Sequence, residues 1–278
     1  MSNVVLLPKG LLNRRAVLQK CLVEGYLKKD GSKLIFSPTD LSTFFRSPYL
    51  SWLGHHNLIA SKDKKIEREL DATQSLLARR GDEFERAELN RQKGVKKLSV
   101  IEIARDESFD VAARKTIEAM KKGADVIYQA ALQMDSFQGY ADFLMKVPGR
   151  KSNLGDYSYE VADTKLSHSA KPEYAVQICC YSEMLLNILG HWPDKWHLIL
   201  GDGTKQSLPI SDYRFYYAHF KNVFLQFHEK FALESRPFPE PWENVTGYED
   251  HVEELFKRAD HLCLVAGVSL SQDRKSVV

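Results

Sequence analysis

The chain has 278 residues, 44% of them hydrophobic and 27% charged, with a mean hydropathy of -0.36. This composition excludes a disordered, collagenous or membrane-embedded protein, and the length leaves room for a sizeable core without disulfide or metal staples. Lys and Arg number 39 against 37 Asp and Glu, a net charge of +2. No global field therefore advertises nucleic acid, and such a partner needs a local basic patch.

The first 36 residues are an N-terminal extension in which Leu11, Leu12, Val17, Leu18 and Leu22 line one face of a helix, before a turn at Lys28–Ser32. Ser37-Pro38-Thr39-Asp40 is a sharp helix start: a small hydroxyl or carboxylate caps the free N–H groups, and Pro is tolerated in a first turn. Pro48 ends or bends that helix. Apolar residues recurring through Leu70, Leu76, Leu77, Phe84 and Leu89 predict a long amphipathic helix over 64–92, and a second helix covers 108–122 and stops near Gly123.

Beyond Gly123 the period changes to that of strands, expected at 126–132, 140–147 and 157–166, with a turn-rich loop at 148–156. A helix from Pro172 to Leu189 stops at Gly190, and 196–200 and 206–210 form a hairpin around Gly201-Asp202-Gly203. Residues 212–234 are helical in period, and a last helix spans 248–260. The order implies an α/β core with a small mixed sheet flanked by helices.

Side chains two apart on a strand share a face, so Asp163 and Lys165 point the same way, and the preceding strand carries Asp142 between apolar neighbours. Two carboxylates and an ammonium on adjacent strands suit phosphodiester hydrolysis with a hard divalent ion. The Asp-x-Lys pattern occurs three times, at Asp63, Asp163 and Asp273, and only the second lies in an expected strand behind another carboxylate. A structural ion pair is the plain alternative. Gln177 and Tyr181 share a face of the next helix, where they either touch phosphate or the lysine or simply pack, and Glu85 on the long helix either completes a ligand set or is a solvated charge.

Together, Gly139-Tyr-Ala-Asp142, Tyr159-Glu-Val-Ala-Asp163-Thr-Lys165-Leu and Gln177-x-x-x-Tyr181 resemble the RecB-like branch of the PD-(D/E)XK nucleases over residues 36 to 270. The resemblance implies a restriction-endonuclease-like core at 37–270 with additional terminal helices, and a tail at 271–278 that marks a truncation point or a shortened member. It implies Asp142 and Asp163 as Mg²⁺ or Mn²⁺ ligands, joined by the Thr164 carbonyl and Glu85, with Lys165 the catalytic lysine and Gln177 and Tyr181 the helix motif. The expected activity is cleavage of DNA, single-stranded or at duplex ends, without sequence specificity, in repair or processing. The alternative is a weakened nuclease fold that binds nucleic acid or protein without cutting.

The sequence departs from that pattern twice. Phe84 stands where relatives often carry His, and the cysteines of an iron–sulfur cluster are lacking, with Ser47 at the early position and none in 239–248. No cluster is expected. Cys21, Cys179, Cys180 and Cys263 show no ligand spacing, which favours a reducing cytoplasm, and no apolar run reaches the ~18 residues of a membrane helix.

Other signals have plain readings. Gly201–Ser207 is a hairpin turn rather than a phosphate loop, and His55-His56-Asn57 is a polar helix end. The ring cluster from Tyr213 to Phe227 either stacks bases or fills the core, with the core favoured by its helical spacing. Arg79, Arg80, Arg86, Arg91, Lys93, Lys96 and Lys97, with Lys121, Lys122, Arg150 and Lys151 elsewhere, either bind phosphates or are solvated helix charges.

Overall fold

The computed structural model describes residues 27–31, 33–69, 72–95, 98–233 and 236–265. The helix expected through Leu11–Leu22 and the tail 271–278 lie outside these residues. A short antiparallel ribbon opens the described chain, β1 (Lys28–Asp30) against β2 (Lys33–Ile35), with Gly31 at φ +59° in the turn. Helix α1 (Pro38–Arg46) starts where the sequence says: Ser37 and Asp40 cap one another reciprocally, satisfying donors that a first turn leaves free. Ser47 ends α1 and caps α2 (Pro48–Ile59), so Pro48 stops one helix by starting another.

The long helix, α3 (Ala72–Gly94), begins later than its periodicity suggests. Residues 65–69 are not helical, and the Asn57 side chain both donates to the Ile66 carbonyl and accepts its N–H, replacing helical partners with its own amide. A strand that local pattern did not reveal, β3 (Val100–Glu102), follows, then α4 (Phe109–Lys121), which ends before Gly123 at φ +72°.

The remaining elements are β4 (Val126–Met134), β5 (Phe137–Ser152), β6 (Gly155–Lys165), α5 (Pro172–Leu189), β7 (Lys195–Leu200), β8 (Lys205–Pro209), α6 (Arg214–Glu229) and α7 (Glu249–Arg258). The turn-rich stretch 148–156 is not a loop. Strand β5 runs on to Ser152 and β6 starts at Gly155, with the register disturbed between Pro148 and Ser152. The turn there is confined to Asn153-Leu154, and Pro148 is accommodated at the irregularity.

Six strands form one mixed sheet in the order β3-β4-β5-β6-β7-β8. The β4–β5, β5–β6 and β7–β8 pairs are antiparallel, while β3–β4 and β6–β7 are parallel. Each parallel pair requires a crossover, supplied by α4 and α5. One sheet face packs on α1, α4, α5 and α6 through Leu41, Met120, Ile178, Leu185 and Phe224; the other packs on α3, where Leu89 meets Val126, Phe143, Ala162 and Ile199. The architecture is thus mixed α/β with helices on both faces of the sheet. A satellite cluster joins Tyr49, Trp52 and Leu53 of α2 to Val252, Leu255 and Phe256 of α7.

His55 corrects the expectation of a polar helix end: it is 6% exposed, and its Nδ1 lies 3.1 Å from Nδ1 of the buried His228. The ring cluster of 213–227 divides. Tyr217 and Phe224 are in the core, but Phe215 and Tyr216 remain 72% and 54% exposed. Among the described residues no helix is long and apolar enough to cross a membrane.

Candidate active site

The site begins with a fault in the sheet. Strands β4 and β5 pair through Tyr128↔Phe143 and resume at Ala130↔Ala141, leaving Gln129 and Asp142 facing each other unpaired. Gln129 has φ +54°, a left-handed conformation that costs a side-chain-bearing residue about 1 kcal/mol. The strand alternation also breaks here. Ala141 packs in the main core while Phe143, two residues on, packs beneath α3.

On the other side, β5 and β6 are last paired at Phe143↔Ala162, so Asp142 and Asp163 stand just beyond the end of their ladder. In place of a ladder bond, the Asp142 Oδ2 accepts the Thr164 N–H at 2.9 Å and its hydroxyl at 2.7 Å. Thr164 meets the site through these two donors.

Asp163 and Lys165 share a face of β6, as alternation requires, and the Lys165 Nζ lies 2.5 Å from the Asp163 Oδ2. Asp163 is only 2% exposed. Its Oδ2 has the ion-pair contact but no partner in good hydrogen-bond geometry. The ammonium also sits 5.3 Å from the centre of the Tyr174 ring, in the first turn of α5.

Glu85 reaches the same region from α3, half-buried, and accepts a hydrogen bond from the Gln129 side-chain amide. The Tyr128 hydroxyl bonds it too. Asp142 is close enough that its charge perturbs all the neighbouring groups. Burial lifts Asp163 to about 7, against the pull of Lys165 and with the Asp142 charge adding to the rise. Burial lifts Glu85 to about 8, again with help from Asp142 and against Tyr128, Arg105 and Gln129. Burial works against the Lys165 charge, but Asp163 and Asp142 outweigh it and hold the ammonium above the ordinary lysine value. Asp82, one turn before Glu85 on the helix, is raised by burial and Asp142 while Arg86 and Arg105 oppose the rise.

The two helix residues have different surroundings. Tyr181 is 4% exposed and donates its hydroxyl to the Tyr140 carbonyl at 2.9 Å, pinning β5 two residues before Asp142. Gly139 is required beside it, since a Cβ there would lie 2.8 Å from the Tyr181 oxygen and 2.9 Å from Pro38 Cδ. Gln177 lies one turn earlier on α5, half-buried. Tyr181 therefore acts on the strand that carries Asp142.

Four neighbours of the site carried no mark in the sequence reading: Gln129, Tyr128, Arg105 and Tyr174. Tyr174 was recoverable, since it lies three residues before Gln177 on one helix. Arg105, in the loop between β3 and α4, holds its guanidinium 4.8 Å above the Tyr140 ring, and only the tertiary structure brings it near Glu85 and Asp82.

Among the described residues no group of three or more His, Cys, Asp or Glu is arranged to hold a metal ion. The donor chemistry nonetheless suits Mg²⁺ or Mn²⁺, which need only one or two carboxylates and keep several waters. Buried carboxyls such as Asp163, whose ionisation is disfavoured and whose Oδ2 lacks a good hydrogen bond, are those a cation stabilises. Cys179 and Cys180 are fully buried thiols pushed up to about 12 by that burial, while Cys263 is half-buried. In comparisons with known proteins, no protein-family model matches this chain and no curated protein matches it.

Proposed function

We propose that the chain is a divalent-metal-dependent nuclease that hydrolyses DNA phosphodiesters, built on a core of the PD-(D/E)XK type. The observation that carries this reading is the fault in the sheet, which gathers Asp142, Asp163 and Lys165 at one strand end with Glu85 opposite. Strain of the kind Gln129 bears is retained at sites where a side chain must be aimed against the regular pattern.

Asp142 and Asp163 are the residues that hold Mg²⁺ or Mn²⁺. When bound, the ion supplies a water of lowered pKa and neutralises charge on the attacked phosphate. The two carboxylate neighbours of Lys165 favour its charge, giving a cation suited to stabilise a developing anion or to orient the attacking water. Thr164 fixes the Asp142 carboxylate from two directions, and Tyr174 covers the lysine from α5. Glu85, with its raised pKa, lends a carboxyl that gains charge when positive charge arrives.

A second reading follows from the ties within the site: Lys165 occupies Asp163 and Thr164 occupies Asp142, as in a fold that grips DNA without cutting. One set of assays separates the two. Linear single-stranded and duplex DNA incubated with the protein and Mg²⁺ or Mn²⁺ should be degraded, and chelation should stop it. Asp163→Ala and Lys165→Ala should each cut at least about a hundredfold more slowly. Mn²⁺ alone should raise the melting temperature of the wild type but not of Asp142→Ala. DNA binding with no cleavage and no melting shift would leave the gripping fold; undiminished cleavage by either variant would remove the site.

A further inference from the structure

A cavity lies on the helical side of the sheet, between the first turns of α5 and α6 and strands β7 and β8. It measures about 220 Å³ and is lined chiefly by Lys171, Pro172, Trp196, Tyr213, Tyr216 and Tyr217. We propose that it seats one unstacked nucleobase of a single-stranded chain on its way to the site. This rests on the nuclease reading and names its substrate class.

Three properties carry the inference. First, the lining is aromatic to a degree that packing does not require. Tyr216 is 54% exposed although it is large and apolar over most of its surface. Its ring lies nearly parallel to Phe220, 6.0 Å between centres, so it is braced in place on α6. Every base has a π-face, and stacking on such rings is tolerant of base identity.

Second, the rest of the wall is ring-built too: Trp196 is 1% exposed and meets the Tyr213 ring edge-on, 5.3 Å between centres. The cavity is also smaller than the ~300 Å³ at which sites for drug-sized ligands begin, and a single flat ring system suits that size.

Third, the cavity adjoins the catalytic constellation along one helix. Lys171 and Pro172 border it, Tyr174 covers Lys165, and Ala175 and Val176 return to the cavity wall. A strand whose base enters here has its backbone passing the start of α5, with the exposed Lys171 at the rim to meet a phosphate. A stacked duplex cannot present such a base without unpairing it.

The test measures binding under chelating conditions, where cleavage is silent. Fluorescence anisotropy compares an oligothymidylate with an abasic chain of equal length. The wild type should prefer the base-bearing chain. Tyr216→Ala, at a half-exposed position, should bind it about tenfold more weakly, level with the abasic chain, without a change in melting temperature. Leu208→Trp, which fills the cavity from its wall, should do the same, and Tyr216→Phe should restore the preference. Equal affinity of wild type and Tyr216→Ala for oligothymidylate would overturn the pocket. Mg²⁺-dependent cleavage by the same preparations is scored separately. Cleavage without base-dependent binding sinks the pocket alone, and base-dependent binding without cleavage sinks the nuclease reading alone.

Discussion

Asp142 is the residue on which the local electrostatics turn. Burial is the main cause that raises Asp163, Glu85 and Asp82, and the Asp142 charge adds to that rise while supporting the Lys165 ammonium, so these buried carboxyls resist ionising together. Glu85 shows the consequence. Its folded pKa, about 8, lies above the ordinary glutamate value, so the folded state binds the proton more tightly. The stability this contributes is complete below the unfolded pKa and is lost as pH rises through about 8. Glu85→Gln keeps the neutral shape at all pH. In the absence of divalent ions it should match the wild type near pH 4 and exceed it by roughly 2 kcal/mol near pH 9, after allowance for partial exposure. Thermal melts across that range would show a gain of a few degrees at the alkaline end. A gain confined to acid would mean that Glu85 does not lie where its charge is opposed.

At the scale of elements, the end of β6 is held by its neighbours as much as by its own ladder. Gly201, just after β7, approaches Leu166 so closely that an added Cβ would fall 2.5 Å from the Leu166 carbonyl oxygen. Both are backbone positions, so neither side can yield by changing rotamer. Gly201→Ala should therefore cost about 1–3 kcal/mol in denaturant unfolding and slow cleavage, because Leu166 follows Lys165 directly. Loss of stability with unchanged cleavage would show that the lysine does not depend on that contact. The start of α1 tests the cap itself. Ser37→Ala removes half of the reciprocal cap and should cost about 1 kcal/mol in denaturant unfolding.

For the whole molecule, the near-balance of charge matters more than any single patch. With a net charge of +2, the proposed DNA affinity would have to come from local contacts such as those of Arg79, Arg80, Arg86 and Arg91 on α3. Some of these are already matched by acids: Arg79 pairs with Glu83 at 3.7 Å and Arg91 with Glu88 at 2.7 Å. Two of these four arginines are thus paired already, which leaves few free phosphate contacts on this helix, so the salt dependence should be modest. About three contacts to a single strand correspond to a loss of roughly tenfold to twentyfold between about 50 and 200 mM salt. Anisotropy titrations over that range measure the slope. A loss of several thousandfold would require a far more basic surface than the one described.

What the sequence settled was local. Ser37 and Asp40 meet within one turn, Gly123 and Gly190 adopt positive φ where helices stop, and Asp163 and Lys165 share a face because strand side chains alternate. These features depend on residues a few positions apart, whose relation is the same in any fold that contains the element. Tertiary structure decided the rest. The strand β3 and the non-helical course of 65–69, where the Glu69 N–H bonds the Gly247 carbonyl, answer to partners distant in sequence. So do Gln129 at its strained bend, Arg105 above Tyr140, and the division of one aromatic helix into a buried face and an exposed pair of rings. Hydrogen-bond caps and side-chain period are written within a turn or two of chain, whereas burial, charge coupling and the shape of a cavity exist only once remote segments have packed.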